Sequence, residues 1–142
     1  MVNEPSHRSA SFDGQRGQAA VEFALVISLL VFLLMGMFDL GRGIYAYNVV
    51  AGAAREGARF GITAPTDLAG IKNVVVAKSV GIAVDPNQVS VTCTDNGGNS
   101  VGDCLLSYNL TVRVPYTFQP ATVFFASFTV TGKSTMVVAY HP

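Results

Sequence analysis

A single apolar stretch, Gly17 to Phe38, limits what this chain of 142 residues can fold into more than any other feature. From Phe23 onward it is an unbroken apolar run apart from small residues, and it contains one charge, Glu22. Its length matches the roughly 20 residues with which an α-helix crosses the hydrocarbon core of a bilayer. A carboxylate costs on the order of 3 kcal/mol at the centre of such a helix and less near its end. The stretch therefore predicts one membrane-spanning helix whose single acid has a partner or a function.

The overall composition excludes several classes of protein. Half of the residues are hydrophobic, 13% are charged, and the formal net charge is zero. A nucleic-acid-binding protein would need a clustered basic face, and a highly charged disordered protein would need far fewer apolar residues. Once the spanning segment is set aside, the remainder is long enough for one small folded domain. We expect no nucleic-acid partner.

The spanning helix is predicted to continue beyond the bilayer. No proline occurs between Phe38 and Pro65, and apolar or small residues keep a helical recurrence over this stretch. Within it Ala53, Gly57 and Gly61 stand four residues apart and form a ridge of small residues that permits close approach of another element. The ridge suits packing against a neighbouring subunit and packing against the protein's own sheet equally well.

Charged residues return directly after the apolar run. Asp39 with Arg42, and Glu56 with Arg59, are three residues apart and are predicted to pair on the helix surface for a few tenths of a kcal/mol each. We expect these residues to form a solvated face.

A second, shorter helix is predicted after the break around Pro65. Apolar residues repeat at helical spacing from Leu68 to Val75, and Gly81 suits the end of the helix. The β-branched run at residues 74–76 makes a strand the alternative.

The remainder of the chain has the alternating pattern of β-strands. Strands are predicted over residues 89–93 and 107–114, paired as an antiparallel hairpin, with Pro115 ending the second. The aromatic segment from Tyr116 to Phe128 is predicted to pack as core, with an exposed patch as the alternative. A last strand pair is predicted to turn at Gly132-Lys133. The expected fold class is α+β, with a long N-terminal transmembrane α-helix that extends into a small C-terminal domain containing an antiparallel β-sheet.

Cys93 and Cys104 are the only cysteines in the sequence. The loop between them is rich in Gly, Asn, Asp and Ser, so it can bring its ends together, and a disulfide there would contribute roughly 3 kcal/mol. Such a bond would place this part of the chain in an oxidising compartment. The alternative is a pair of free thiols in a reducing cell.

The residues around the start of the apolar run resemble a known processing site. Gly17 follows Arg16 and is followed by four residues, then by Glu22 and the aromatic Phe23. This arrangement resembles the cut site of type IV prepilins, especially the Flp-type pilins and the TadE-like pseudopilins of tight-adherence pili. The body of the TadE-like domain is similar to the stretch up to about Ile62, which contains these matching segments: Phe38 to Arg42, Tyr45, Tyr47 and Ala53 to Arg59.

The resemblance implies a maturation step and an assembly role. A membrane-embedded prepilin peptidase would cut between Gly17 and Gln18, and Glu22 beside Phe23 would neutralise the terminal amine of a neighbouring subunit and set its register. The implied partners are that peptidase, other pilin or pseudopilin subunits, the inner-membrane assembly platform and membrane lipid. The C-terminal β domain and the length favour a minor pseudopilin over the shorter major pilin, which stays open as the alternative.

The same resemblance gives a domain division and a location. Residues 1–17 would be a disordered leader up to Arg16, 18–62 the pilin-like helix and 63–142 an exported α+β domain. Lys and Arg flank both ends of the apolar run, so the positive-inside rule does not decide the topology. The resemblance and the cysteine pair favour a single-pass protein of the bacterial inner membrane, with its C-terminal domain in the periplasm or outside the cell in a pilus.

Two other interpretations remain. The chain could be a single-pass membrane protein that is not cut, with an exported domain that binds a ligand. A secretory signal peptide fits less well, because its apolar core spans about 7–15 residues and a small-x-small cut site follows closely. The only histidines are His7 and His141, and no spacing suits a metal site, a phosphate loop or a nucleophile with a base. We therefore expect no enzyme, no catalytic residues, no metal and no cofactor.

Overall fold

The computed structural model of the chain describes residues 13–122 and 126–139. The chain divides into two compact units between Phe38 and Asp39. The described part of the first unit is helical, and the second unit contains the rest of that helix, a second helix and a sheet. The predicted boundaries after residues 17 and 62 stay predictions.

Helix α1 is continuous over Asp13–Gly61, 49 residues in all. The predicted continuation beyond the apolar run is therefore confirmed. The helix also includes residues 13–16, so the disorder predicted up to Arg16 is wrong for these four residues. No proline separates them from the apolar helix, and adding residues to an existing helix is much easier than nucleating one. The rest of the predicted leader, residues 1–12, lies outside the described residues.

Helix α2 covers Leu68–Lys78, which confirms the predicted helix and excludes the strand at residues 74–76. Its N-terminus is capped by the carboxylate of Asp67, which accepts a hydrogen bond of 2.8 Å from the backbone N–H of Gly70. The helix ends before Gly81, whose φ of +77° belongs to the following turn.

The described residues contain one four-stranded antiparallel sheet with the order β2-β1-β3-β4. Its strands are β1 Ser90–Thr94, β2 Ser100–Val101, β3 Asn109–Phe118 and β4 Phe128–Val137. The predicted pairing of the strand before the cysteine loop with the strand after it is confirmed, because β1 pairs with β3. The short β2 was not predicted; it extends the sheet on the other side of β1.

Two predicted breaks in the sheet are wrong. Strand β3 continues through Pro115 to Phe118, and Pro115 lies opposite Thr131 of β4. The pairing of β3 with β1 ends at Arg113, so no strand lies beside Pro115 on that side. The missing N–H of the proline therefore breaks no hydrogen bond between strands. Strand β4 likewise runs straight through Gly132, where a turn between two strands was predicted.

Close contact between α1 and the sheet explains why Gly132 lies within a strand. A Cβ at this position would overlap the carbonyl of Val50 and lie 2.8 Å from the backbone nitrogen of Ala51. Along the rest of the contact α1 runs antiparallel to β3, with Gly43 near Phe118 and Gly61 near Leu110. Glycines on both elements therefore let the helix backbone approach the sheet.

The core of the second unit lies between the helices and one face of the sheet. Its best-buried members are Val50, Ala53, Ala54, Ala58, Ile71, Val75, Leu110, Val112 and Val114. The small-residue ridge faces this core: Ala53 is buried, and a Cβ on Gly57 would press against Val75 of α2. The apolar residues Leu40, Ile44 and Tyr47 lie exposed instead. In this fold the ridge packs within its own unit.

The aromatic segment divides between the two predicted environments. Phe118 is buried at 3% exposure, whereas Phe128 is 49% exposed, although their ring centroids are 5.2 Å apart. Phe124 and Phe125 lie outside the described residues. The core prediction is confirmed for Phe118 and wrong for Phe128, which lies at the beginning of β4.

The predicted disulfide between Cys93 and Cys104 is present, with the two Cα atoms 5.5 Å apart. Both residues are buried. The bond ties β1 to the segment that follows β2, so it holds the loop between the paired strands against the core.

Candidate functional site

The apolar segment of α1 is exposed along its length. Phe23, Leu25 and Met37 are 67%, 68% and 71% exposed, and none of the most apolar window of the helix is buried. An aqueous surface rarely carries a contiguous apolar patch of this size. Among the described residues, α1 is the one helix long and apolar enough to cross a bilayer. The segment is therefore consistent with a membrane anchor.

The predicted processing residues lie together at the beginning of this segment. Gly17, Gln18, Glu22 and Phe23 are all exposed residues of α1. A Cβ on Gly17 would meet nothing within 4 Å. Gln18 and Glu22 are four residues apart, so they lie on one face of the helix, separated by a rise of about 6 Å. The Gly17–Gln18 bond lies in helical backbone between two exposed residues.

A second group of polar contacts begins at Asp39, where the apolar segment ends. Its side chain is only 4% exposed. The carboxylate accepts hydrogen bonds from the N–H of Ala121 at 2.9 Å, the N–H of Thr122 at 3.0 Å and the hydroxyl of Thr122 at 2.7 Å. We call this arrangement the Asp39 clasp, because it holds the segment after β3 against α1.

Arg42 completes the surroundings of the clasp. Its guanidinium lies 3.4 Å from the Asp39 carboxylate and 5.4 Å from the centroid of the Phe118 ring. The hydroxyl of Thr122, followed by the N–H of Ala121, holds the pKa of Asp39 below its ordinary value, and Arg42 acts in the same direction. Asp39 therefore stays ionised and acts as an acceptor for the loop.

The predicted solvated face is wrong for Asp39. Its donors lie 82 and 83 residues further along the chain, so no local pattern in the sequence identifies them. The sequence contains a weaker indication that Asp39 is buried, because Asp39 stands at helical spacing before the small or apolar residues Gly43, Ala46 and Val50. The structure shows that all three of these residues are buried. An acid that extends a buried stripe is expected to have partners.

The other features of the described residues are weaker candidates for a functional site. A cavity of about 450 Å³ lies beside the disulfide, lined by residues of the segments 65–68, 91–93 and 100–104. In the part of the chain that the structure describes, no group of His, Cys, Asp and Glu is placed to hold a metal ion. The exposed apolar helix, with the predicted processing residues at its beginning, is therefore the strongest candidate site.

The comparisons with known proteins agree with this assignment. The model of the family described as TadE-like protein matches residues 17–59. Neither a curated protein nor a solved structure gives a significant match to the chain. The family suggests a pilus-related protein of tight-adherence systems. Residues 17–59 of this chain thus match the TadE-like family, which confirms the resemblance drawn from the sequence.

Proposed function

We propose that this protein is a prepilin-like pseudopilin that is cut after Gly17 and takes part in assembly of a tight-adherence pilus. One observation carries the proposal: the segment that matches the TadE-like family begins at Gly17 and contains an exposed apolar helix with Glu22 as the only charge up to Phe38. A subunit of this kind needs an apolar helix to rest in the membrane and then to pack among other helices.

The role of Glu22 follows from the charge that cutting creates. Cleavage after Gly17 gives Gln18 a free amine, which is a positive charge at the head of an apolar helix. In a bundle of such helices both this amine and the Glu22 carboxylate are costly alone and become tolerable when paired. A subunit displaced by one turn would leave both charges unpaired, so the pairing also sets the register of neighbouring subunits.

The folded second unit supports a minor role over that of the bulk subunit. The described residues of the second unit form the end of α1, helix α2 and a four-stranded sheet, which is far more than a short major pilin needs. We propose that the protein initiates or supports the pilus. Its proposed partners are a prepilin peptidase, other pilin or pseudopilin subunits and the assembly platform of the inner membrane, with the second unit on the periplasmic side or in the pilus.

The test is the intact mass and N-terminal sequence of the full chain expressed with an active prepilin peptidase and with a catalytically inactive form of it. We expect a new terminus at Gln18 only with the active peptidase. Gly17→Leu should abolish the cut, and the matched variant Gly14→Ala should retain it. A chain that keeps residues 1–17 in both strains overturns the proposal and favours an uncut membrane-anchored protein whose second unit binds a ligand.

A further inference from the structure

Where its apolar segment ends, α1 contacts two later parts of the chain, residues 121–122 and the beginning of β4. Asp39 directly follows Phe38 and holds Ala121 and Thr122 through the clasp. One turn later, Gly43 lies close to Phe128, since a Cβ on this glycine would be 3.6 Å from the Phe128 ring. Ala121, Thr122 and the beginning of β4 are therefore held beside residues 39–43 of α1.

Residues 39–43 directly follow the apolar segment 17–38 in the chain. A helix rises 1.5 Å per residue, so residues 39–43 lie within about 8 Å of the last apolar residue. The headgroup region is roughly 5–8 Å thick on each side of the hydrocarbon core. A side chain that contacts residues 39–43 is therefore covalently tethered within reach of the headgroups of a bilayer crossed by residues 17–38.

Phe128 is suited to that position. It is 49% exposed, although its neighbour Phe118 is buried. A half-exposed aromatic ring is stabilised when it moves from water to the boundary between headgroups and acyl chains.

Arg42 supplies the charge that such a contact needs. Its side chain is 45% exposed, and its ion pair with Asp39 is long at 3.4 Å. A guanidinium has five N–H donors and binds phosphate readily, so several donors of Arg42 remain available for a lipid phosphate. No Asp or Glu occurs after Asp103 in the sequence, and the carboxylate held against Thr122, that of Asp39, is buried and accepts three hydrogen bonds.

We propose that Arg42, Phe128 and the clasped residues Ala121 and Thr122 form a second membrane contact, which seats the second unit on phospholipid headgroups. The occupant is the lipid surface itself, with Phe128 at the acyl boundary and Arg42 on phosphate. This contact goes beyond the proposed function, because it needs neither cleavage nor another subunit.

The absence of tryptophan from the sequence gives a direct test. The uncut full chain is reconstituted into phosphatidylcholine–phosphatidylglycerol vesicles, and each variant carries one tryptophan, Phe128→Trp or Val137→Trp. Val137 is a matched control, because it is 55% exposed and lies nine residues along β4, roughly 30 Å from Phe128. Quenching of the tryptophan emission by phospholipids brominated on the acyl chain then reports contact with the bilayer.

We expect the Phe128→Trp emission to be blue-shifted and quenched at least about twofold more than that of Val137→Trp, as for other interfacial aromatic residues. Adding Arg42→Gln to Phe128→Trp should reduce this quenching. If Phe128→Trp lacks the far-ultraviolet circular dichroism of the parent, the exposed neighbour Thr129→Trp takes its place. Equal quenching at both ends of β4, or none at either end, overturns the proposal. Cleavage by a peptidase does not enter the experiment, so its outcome is independent of the proposed processing.

Discussion

At the scale of single residues, Asp39 is the polar side chain that joins α1 to residues more than 80 positions further along the chain. It is nearly inaccessible to solvent and accepts three hydrogen bonds from Ala121 and Thr122. A buried carboxylate is stable only with such partners, because removing it from water is costly. Asp39 thus joins the helix that leaves the apolar segment to the connection between β3 and β4.

We predict that Asp39→Asn lowers the thermal midpoint of the second unit at pH 7, because the amide group presents N–H donors to donors of the loop. In the wild type the pKa of Asp39 is lowered from its ordinary 3.8. Its stabilising contribution is therefore fully present above that ordinary value and is lost as the pH falls through the lower folded-state pKa.

The measurement is circular dichroism melting of the detergent-solubilised chain between pH 7 and pH 3. The difference between wild type and Asp39→Asn should be largest at pH 7 and shrink in acid. Asp103→Asn is the matched control, because Asp103 is exposed, and it should melt close to the wild type. A difference that is the same at pH 7 and pH 3 would show that the charge of Asp39 is unimportant.

At the scale of elements, the contact between α1 and β4 depends on the absence of a side chain at Gly132. A methyl group there would overlap the backbone of Val50. Backbone cannot move aside as the end of a flexible side chain can, so the helix and the strand would have to separate and the core around Val50 would loosen.

We predict that Gly132→Ala lowers the free energy of unfolding by about 2 kcal/mol or more, as expected for overpacking of a tight contact. The matched control is Gly52→Ala on the same helix, where a Cβ meets nothing within 4 Å. It should be neutral or stabilise by up to about 1 kcal/mol, because alanine favours helix over glycine. Denaturant titration of both variants measures the two changes in the free energy of unfolding. Equal unfolding midpoints for the two variants would contradict the close contact at Gly132.

At the scale of the whole molecule, the proposed function separates two requirements that the same helix has to meet. Under the proposal, insertion into a membrane depends on the apolar segment as a whole, whereas assembly would depend on the position of one charge within it. Glu22 lies near the beginning of that segment, where a bilayer tolerates a carboxylate comparatively well.

We predict that Glu22→Gln leaves membrane insertion intact but reduces pilus production by about tenfold or more, because a neighbouring amine loses its charged partner. Membrane fractionation measures the first property, and sheared-pilus yield from cells with the cognate assembly system measures the second. Glu56→Gln is the matched control, since Glu56 is an exposed acid of the same helix in the second unit. If Glu22→Gln cells produced pili at the wild-type yield, the charge of Glu22 would not be needed for assembly.

The long helix, the second helix and the β1–β3 pairing follow from local patterns in the sequence. Helical and strand periodicities are repeated over neighbouring residues, so they can be read without the fold. The disulfide was also predictable, because its loop is short and rich in turn-forming residues. The TadE-like resemblance was predictable from a motif at the start of the apolar segment, whereas cleavage after Gly17 stays a prediction.

The predictions for Pro115, Gly132 and Asp39 were wrong, because the environment of each residue depends on an element distant in the sequence. The local pattern at Pro115 predicts the end of a strand, but β3 continues because its pairing with β1 has stopped at Arg113. The local pattern at Gly132 predicts a turn, but the close backbone of Val50 requires a glycine within the strand. The sequence by itself determined the membrane-length helix, its single acid and the α+β class, because these depend on composition and on periodicity along the chain. Only the tertiary structure decided which face of α1 is buried and what Asp39 binds, because those outcomes depend on backbone groups brought together from more than 80 residues apart.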